Sequence, residues 1–445
     1  MKCIEDEIPF ELPAGWVWAR LSMVGTTNIG LTYKPTDLSD RGTIVLRSCN
    51  IKNGKIDLDD LVRVNTHIKE NQYIENNDIL ICARNGSRAL VGKCALLEDI
   101  QEKTSFGAFM AVFRTECYRY LYYYFNTSFF RSFFDSDDSK QINQVTQATL
   151  RDSLIPLPPS SEQVRITEKL ETTIEVLDLI NERVEATSEI ISHIKSKILD
   201  LAIRGQLIPQ DPNDEPASVL LDRIRAEKEE LIKSGKIKRD KKESVIFKGD
   251  DNSYYEKVGK DTNCINEQIP FELPASWCWC KLGSIFSHNT GKALNSSNTE
   301  GRLLTYITTS NLYWDRFELE TLKEMFFTDS EIEKYTVKKG DLLVCEGGDI
   351  GRSAIWCYDD EMRIQNHIHR LRPYVNLSNR FYYYVLWLWK QIGLIGGQGI
   401  GLQGFSSKAI HNLIIPLPPL NEQNRITHMI DELLGFLDTI EQHLS

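Results

Sequence analysis

Few residues of this sequence have the types and spacing that catalysis or cofactor binding needs. The only G-x-G-x-x-G pattern, at Gly399, Gly401 and Gly404, follows an aromatic segment of helical character rather than a strand, so dinucleotide binding is not indicated. The sequence also lacks the G-x-x-x-x-G-K-[ST] phosphate loop and the D/N-P-P-Y/F loop of amino-methyltransferases. These motifs place the nucleophiles and phosphate ligands of the corresponding enzymes. We therefore expect no catalytic residues in this chain.

Metal ligands and membrane segments are equally unsupported. His367 and His369 would share one face of a strand, but they have no neighbouring carboxylate cluster, and the ten cysteines form no C-x-x-C pair. The longest apolar runs fall short of the roughly 18 residues that span a bilayer. We expect no metal site, reduced thiols, no membrane contact and a cytoplasmic location.

The elements that would position functional side chains are present twice. IPFELPAGWVWARL at Ile8–Leu21 returns as IPFELPASWCWCKL at Ile269–Leu282, and IPLPPSSEQVRIT at Ile155–Thr167 returns as IPLPPLNEQNRIT at Ile415–Thr427. The two pairs have nearly the same offset, 261 and 260 positions, so the chain is a tandem duplication. Each copy also contains an apolar strand followed by a glycine-rich loop, and a tyrosine-rich helix whose tyrosines we expect in the core.

A heptad seam follows each IPLPP block. In the first copy its rows are 166, 173, 180, 187, 194, 201 and 170, 177, 184, 191, 198, and the second copy repeats it from Ile426. The pattern predicts an α+β protein with two homologous globular domains, separated by long heptad helices that pair as an antiparallel coiled coil. The proposed seam and partner-docking residues are Ile166, Leu170, Leu177, Val184, Ile191, Ile198, Ile426, Ile430, Leu433 and Leu437.

Composition completes the division of the chain. The stretch that follows the short charged helix is rich in Lys, Asp, Gly and Ser, which is typical of a flexible linker. The predicted segments are a first globular domain at 1–154, a helical region at 155–235, a linker at 236–265, a second globular domain at 266–414 and a C-terminal helix at 415–445. The net charge of −11 argues against non-specific coating of nucleic acid but leaves a local DNA-binding face open.

Together the duplicated ELP-x-x-W-x-W and IPLPP-x-x-EQ-x-RI blocks, and the run LAIRGQLIPQDPNDEPASVLLDRIRAEKEEL, make the chain resemble the specificity subunit of type I restriction-modification systems. The resemblance covers nearly the whole chain, although the Gln206–Leu231 segment has no counterpart after the second copy. It implies two target recognition domains that each recognise half of a split double-stranded DNA sequence. It also implies docking of methyltransferase subunits and of ATP-driven restriction subunits, which would hold the cofactors S-adenosylmethionine, ATP and magnesium.

On this resemblance, three loops of each copy are candidates for the DNA-binding face. Arginine suits guanine, whereas asparagine and glutamine suit adenine, and lysine suits phosphate. The candidate residues of the first copy are Lys34, Arg84, Asn85, Ser87, Arg88, Lys140, Gln141, Asn143 and Gln144. Those of the second copy are Lys292, Gly348, Asp349, Arg352, Gln403 and Ser406.

Two other hypotheses remain open from the sequence. A protein-binding scaffold would use the same paired domains and the coiled-coil spacer without any DNA contact. A fused restriction enzyme would need nuclease and methyltransferase motifs that this sequence lacks.

Overall fold

A computed structural model describes residues 7–134, 144–240, 243–294, 299–396 and 405–444. The chain divides into two compact units, residues 1–182 and 183–445, so the division falls inside a long helix. Each unit is described by itself below.

The first unit is an α+β structure. Its helices are α1 (Leu21–Val24), α2 (Tyr118–Phe125), α3 (Ser128–Ser132), α4 (Gln147–Asp152) and α5 (Ser160–Ile203), the last of which continues into the second unit. Its strands are β1 (Val17–Arg20), β2 (Thr26–Ile29), β3 (Leu38–Leu46), β4 (Ile51–Lys52), β5 (Lys55–Ile56), β6 (Val62–Val64), β7 (Ile79–Cys82), β8 (Cys94–Leu96), β9 (Thr104–Phe106), β10 (Met110–Arg114) and β11 (Leu154–Leu157).

The second unit contains the corresponding elements and an additional small sheet. Its helices are α6 (Ala217–Lys233), α7 (Leu282–Ile285), α8 (Asp329–Tyr335), α9 (Asn379–Gln391), α10 (Ser407–His411) and α11 (Leu420–Leu444). Its strands are β12 (Ser244–Lys248), β13 (Tyr254–Val258), β14 (Asp261–Cys264), β15 (Cys278–Lys281), β16 (Phe286–Thr290), β17 (Arg302–Ile307), β18 (Leu312–Tyr313), β19 (Arg316–Phe317), β20 (Lys323–Phe327), β21 (Thr336–Val337), β22 (Leu342–Cys345), β23 (Ser353–Ile355), β24 (Met362–Ile364), β25 (Ile368–Pro373) and β26 (Ile414–Leu417).

The sheet topologies show that the two units share one fold. The order β2-β10-β7-β8 in the first unit returns as β16-β25-β22-β23 in the second, antiparallel throughout. A second sheet pairs β3 with β9 in parallel and with β6 in antiparallel orientation, and β17 pairs in the same way with β24 and β20. The predicted α+β class and the duplication are therefore confirmed.

The two recurring sequence blocks meet in a two-stranded ladder. Strand β1 carries the W-x-W block and pairs antiparallel with β11 of the IPLPP block, so that Trp18 lies opposite Pro156. Strands β15 and β26 repeat this pairing, with Trp279 opposite Pro416. Each copy is thus closed by its first and last strands, which explains why the two blocks recur together.

The tyrosine-rich helices belong to the cores, as the sequence predicts. Tyr120 and Tyr124 of α2 are buried, and the Tyr382–Tyr384 run of α9 is at most 2% exposed. The hydroxyls of Tyr120 and Tyr124 donate to main-chain carbonyls of β11; that of Tyr124 bonds the Leu154 carbonyl at 2.5 Å. Burial raises the pKa of Tyr120 to about 12. A single-strand stacking role for these tyrosines is excluded by their burial.

Helix α5 contains 44 residues and would be roughly 66 Å long at 1.5 Å per residue. Its C-terminal part pairs antiparallel with α11 inside the second unit. The Lys195 ammonium lies 2.6 Å from Asp438 and 2.7 Å from Glu441, late in α11, whereas Asp214, beyond the end of α5, meets Arg425 near the start of α11. The antiparallel pairing expected from the heptads is present here.

The predicted seam is only partly buried. Ile191, Ile426 and Ile430 are buried, and Leu170 and Leu177 are 37% and 52% exposed. The other members, Ile166, Val184, Ile198, Leu433 and Leu437, are half-buried. Exposed apolar residues on the N-terminal half of α5 mean that none of the described residues covers this part of the seam.

The segment interpreted as a flexible linker needs a correction. From Ser244 to Cys264 it forms a three-stranded antiparallel meander, β12-β13-β14. Ile246 and Tyr254 are buried, while the stacked rings of Phe247 and Tyr255 lie 5.9 Å apart on the other side. The strands are short, and the turns between them are rich in lysine and aspartate. The apolar content of the segment is therefore low, and composition alone does not indicate a sheet.

We expect Ile246→Asn to lower the free energy of unfolding by about 2 to 3 kcal/mol, because an amide would be buried without partners. Val245→Asn, one residue earlier on the exposed face of β12, should change it by less than about 0.5 kcal/mol. Urea unfolding monitored by circular dichroism measures both. Equal effects would show that the meander is not packed as described.

Candidate functional site

The loops that the sequence singles out are brought together in each unit. They are loop A (28–34 and 289–293), loop B (84–92 and 346–352) and loop C, of which the structure describes 144–146 and 405–406. Beside loops A and B lies a central turn (107–109 and 365–367). The central turn joins two strands, β9 to β10 and β24 to β25.

In the first unit, main-chain hydrogen bonds join loops A and B to the central turn. Leu31 forms a bridge with Gly107 of the turn, and its N–H donates to the carbonyl of Phe106, just before the turn, at 2.7 Å. Arg84 N–H donates to the carbonyl of Phe109 at 3.0 Å. Loop C is bound to loop B, since Val145 N–H donates to the carbonyl of Ala83 at 2.7 Å. Three segments distant in sequence therefore form one surface.

Loops A and B of the second unit repeat this geometry with other residues. Lys292 N–H donates to the carbonyl of Ile364 at 2.9 Å, and Glu346 N–H donates to that of His367 at 2.9 Å. The main-chain hydrogen bonds are the same in both units, whereas the side chains differ. Such a loop surface can keep its backbone geometry while its contact residues change.

Two glycines allow loop A to approach the central turn. A Cβ added to Gly30 would lie 2.2 Å from the carbonyl oxygen of Phe106, and one added to Gly291 would lie 2.1 Å from that of Ile364. Atoms cannot approach so closely without a shift of the backbone, so both positions need glycine. The match of Gly30 with Gly291 in the sequence has this steric cause.

Loop B of the first unit presents cationic side chains. Arg84 is exposed, with its guanidinium 5.5 Å from the ring centre of Phe109, which is itself 61% exposed. Arg88 is exposed as well. Asn85 shapes the loop, because its amide donates to Ser48 Oγ at 3.2 Å and its carbonyl oxygen accepts from Ser87 N–H at 2.9 Å.

The remaining candidates of the first unit fall into two groups. Lys34 and Gln144 are exposed, and Gln144 forms a bridge with Arg84. Lys140, Gln141 and Asn143 lie outside the described residues, as does Gln403 of the second unit.

Lys292 does not fit the prediction of a DNA-binding lysine. It is 6% exposed, and its ammonium donates to Glu331 at 2.6 Å and to the carbonyl of Phe326 at 2.7 Å. The hydrogen bond from Lys292 lowers the pKa of Glu331. Transfer of this buried ammonium to a phosphate would break both its ion pair with the half-buried Glu331 and its hydrogen bond to Phe326, so we leave Lys292 out of the proposed interface.

Loop B of the second unit is anchored more firmly than that of the first. Arg352 is half-buried, donates to the carbonyl of Thr309 at 2.5 Å, and lies 4.9 Å above the ring centre of Tyr313. Asp349 is paired with Lys390 at 3.0 Å. Gly348 has a φ of +72°, which favours glycine, and it is exposed with open space around it.

The residue of the first unit that is equivalent to Arg352 is Lys93, which the sequence analysis did not identify. Cys345 N–H donates to the carbonyl of Arg352, as Cys82 N–H does to that of Lys93, so the two cations are equivalent. Lys93 also donates to a main-chain carbonyl, that of Ile51. A basic residue directly precedes both β8 and β23, and this shared position could have indicated the equivalence. The glycines of the two loops are spaced differently, so aligning the loops by their glycines does not match the two residues.

Loop C ends in a helix cap in both units. The hydroxyl of Thr146 accepts from Thr149 N–H at 3.0 Å, and that of Ser406 accepts from Ala409 N–H at 3.3 Å. These caps satisfy otherwise unpaired amides at the starts of α4 and α10. Ser406 is exposed and therefore retains capacity for a further contact.

A histidine pair supports loop C of the second unit, and no local sequence pattern indicates it; His369 is fully buried and His288 is half-buried. His369 Nε2 contacts the carbonyl of Phe405 at 2.5 Å and must donate, so its Nδ1 accepts from His288 Nε2 at 2.9 Å. This arrangement requires a neutral His369. Burial lowers the pKa of His288 to about 3 and also lowers that of His369.

Neither a metal site nor a membrane-spanning helix is indicated within the described part of the chain. There, no group of three or more His, Cys, Asp and Glu side chains could hold a metal ion. No helix in the same residues is long and apolar enough to cross a membrane.

Comparison with known proteins identifies the family. The model of the type I restriction modification DNA specificity domain matches residues 13–187 and 274–445, once for each copy. The chain therefore belongs to this family, as the resemblance predicted. The match favours neither a scaffold without DNA contact nor a catalytic chain.

Curated relatives are specificity subunits of type I restriction enzymes. The StySPI subunit of Salmonella potsdam is 25% identical over 98% of this chain and 85% of its own length. The EcoKI subunit of Escherichia coli strain K12 is 34% identical over 49% of this chain and 48% of its own length. The EcoAI subunit of E. coli is 28% identical over 67% of this chain. That match spans 47% of the EcoAI subunit, about half its length.

Solved structures agree in fold. The HsdS subunit of Thermoanaerobacter tengcongensis is 20% identical, with a TM-score of 0.54 over 99% of this chain and 94% of that one. A chain from a structural study of complex assembly in the type I restriction-modification system is 18% identical, with a TM-score of 0.62 over 98% of this chain and 94% of that one.

The histidine pair makes stability depend on pH. Because the folded pKa of His288 lies below the ordinary 6.5, its contribution is complete above pH 6.5 and is lost as the pH falls toward 3. We expect the free energy of unfolding to fall by about 1 kcal/mol per pH unit below pH 6 through His288, and His288→Gln to reduce this slope. Urea unfolding between pH 7 and 5 measures it.

The matched control is His193→Gln, since His193 is exposed on α5. It should leave the slope unchanged. A slope that His288→Gln does not alter would contradict a neutral buried pair.

Proposed function

We propose that the chain recognises double-stranded DNA as the specificity subunit of a type I restriction-modification complex. Each unit would recognise one half of a split target through loops A, B and C. The observation that carries the proposal is that loops A and B meet the same central turn through matched main-chain contacts in both units, with different side chains on the matched backbone. Family membership supports it independently.

The residue types of the first unit suit this task. Arg84 and Arg88 could form bidentate contacts with guanine, Asn85 and Gln144 are suited to adenine, and the exposed ring of Phe109 could contact a thymine methyl. Ser87 and Lys34 could bind phosphate, which would position the unit without selecting sequence. The loop C residues Lys140, Gln141 and Asn143 remain in the proposed interface through their place in the sequence.

In the second unit we propose a less cationic interface. Gly348, Asp349 and Ser406 are exposed beside the central turn, where the side chain of His367 is 54% exposed. Arg352 would act at the edge, because its guanidinium also anchors Thr309. Gln403 is included on the basis of its sequence position. Aspartate suits the amino group of cytosine, so the two half-sites would differ.

Other subunits would supply the chemistry. We propose that methyltransferase and restriction subunits dock on the helical region formed by α5, α6 and α11, and that S-adenosylmethionine, ATP and magnesium bind to those subunits. The chain itself would be non-catalytic and cytoplasmic. Helix α5 runs unbroken from one unit to the other and would set the length of the non-specific spacer.

Replacement of Arg84 and Arg88 by alanine should relax or abolish recognition of one half-site, and Arg352→Ala should affect the other. The loss of a bidentate contact costs about 1 to 3 kcal/mol of discrimination. Methylome sequencing of the host that expresses the complete complex measures each half-site. Thermal unfolding of Arg352→Ala separates recognition from stability.

The control removes the same charge elsewhere in the first unit. Arg41 and Lys55 are exposed and lie outside the three loops, so their double alanine variant should keep both half-sites. A gel-shift assay with the co-expressed methyltransferase subunit, at stated salt, tests DNA binding itself. If target DNA were not bound in preference to scrambled DNA, a protein scaffold would be the better interpretation.

An insertion of four residues beside Thr187 should change the spacer of the recognised sequence or abolish recognition, because it lengthens α5 by about 6 Å. The same insertion between Asp251 and Asn252, in an exposed turn of the meander, should leave the spacer unchanged. Methylome sequencing gives the spacer directly. If only the turn insertion altered the spacer, α5 would not determine it.

A further inference from the structure

The contact between loop B and the central turn has the same backbone in both units but different side chains. His367 directly precedes β25, as Phe109 directly precedes β10. Glu346 directly follows β22, as Ala83 directly follows β7. Glu346 N–H donates to the carbonyl of His367 and Ala83 N–H to that of Phe109, both at 2.9 Å. One matched contact therefore carries an acidic and a basic side chain in the second unit and two apolar side chains in the first.

The two side chains of the second unit face each other at the surface. The side chain of His367 is 54% exposed and that of Glu346 is 30% exposed, and the ring Nδ1 lies 3.8 Å from a carboxylate oxygen. This distance is longer than a hydrogen bond. Among the described residues, neither side chain has a hydrogen-bond partner. The imidazole and the carboxylate are therefore both available to a ligand.

The other charged side chains of loop B in this unit are engaged within the fold. Asp349 is paired with Lys390 at 3.0 Å, and the guanidinium of Arg352 donates to the carbonyl of Thr309. A ligand that bound either side chain would have to replace one of these contacts. The pair formed by Glu346 and His367 can bind without such a loss.

The fold fixes the backbone of both residues. Cys345 precedes Glu346 and Ile368 follows His367, and both neighbours are fully buried. Ile368 N–H donates to the carbonyl of Gln365 at 3.0 Å, which closes the central turn. A contact residue whose backbone is fixed before binding loses less conformational entropy when it binds.

A single G·C base pair matches the chemistry and the spacing of these two groups. In the major groove guanine presents the acceptors O6 and N7, and cytosine presents the N4 amino donor. O6 and N4 are hydrogen-bonded to each other, so they lie about 2.9 Å apart. An imidazole N–H that donates and a carboxylate that accepts, 3.8 Å from each other, can therefore contact both bases of the pair at once.

The carboxylate disfavours the other base pairs. Adenine also has an amino group, N6, but the acceptor N7 lies beside it and repels a carboxylate, and the O4 of thymine is flanked by a methyl group. The phosphates of DNA repel a carboxylate as well. Glu346 therefore adds affinity only where an amino group compensates this repulsion, which is how a repulsive element produces specificity.

We propose that His367 and Glu346 together select one G·C base pair in the half-site of the second unit. His367 donates to guanine, and Glu346 accepts from the amino group of cytosine. The proposal rests on the DNA recognition proposed above and names the residues that determine one of its base pairs. The first unit, with Phe109 and Ala83 at these positions, has no equivalent of this selection.

Glu346→Gln in the complete complex tests the proposal, because a glutamine amide can accept from N6 and donate to N7 of adenine. Methylome sequencing of the host should show that one G·C position of the second half-site becomes degenerate or changes to A·T. The first half-site should stay the same. In gel-shift competition between the two duplexes, the preference for G·C over A·T should fall by about tenfold or more.

His367→Ala removes the donor to guanine, so it should make the same position degenerate and lower the same preference by about tenfold. Because both residues act on one base pair, the effects of the two single variants should not add in the double variant. A purely structural role would change the melting temperature but not the identity of one base pair. Thermal unfolding of each variant is therefore measured alongside.

Glu324→Gln and His67→Ala are the matched controls. Both residues are exposed and lie outside the three loops and the central turn, Glu324 on β20 of the second unit and His67 in the first unit. Neither variant should alter a half-site, and the duplex preference should stay within about twofold.

Three outcomes would overturn the proposal. They are an unchanged second half-site in both variants, a change in the first half-site, and effects of Glu346→Gln and His367→Ala at two separate base pairs. Where a variant loses methylation altogether, the duplex competition still gives the preference. Each of these outcomes leaves the proposed function intact as long as the wild-type complex binds its target. Failure of the wild-type complex to bind would overturn both.

Discussion

The antiparallel ladder between the first and last strands of each copy is the contact on which the other elements depend. It joins β1 to β11 and β15 to β26 across more than 130 residues of chain. Two prolines follow the closing strand directly, so the long helix must begin beside the globular part that it serves. Because both copies close in this way, the loops and the start of the long helix recur in the same arrangement.

Periodic features could be predicted from the sequence, and features that depend on tertiary environment could not. The duplication and the heptads repeat at fixed intervals, and both are present in the structure. The meander was missed because its strands have at most five residues each. The burial of Lys292 could not be predicted, because a lysine in a glycine loop is usually solvated and only the fold places Glu331 beside it. The His288–His369 pair joins strands that no local pattern connects.

The site separates what must be constant from what can change. Main-chain hydrogen bonds and two sterically required glycines hold loop A against the central turn in both units. Side chains at the surface are not needed for these contacts, so Phe109 in one unit can stand where His367 stands in the other. A platform built from backbone tolerates substitution of its outer residues at little cost in stability. Divergence between the copies is therefore compatible with a common fold.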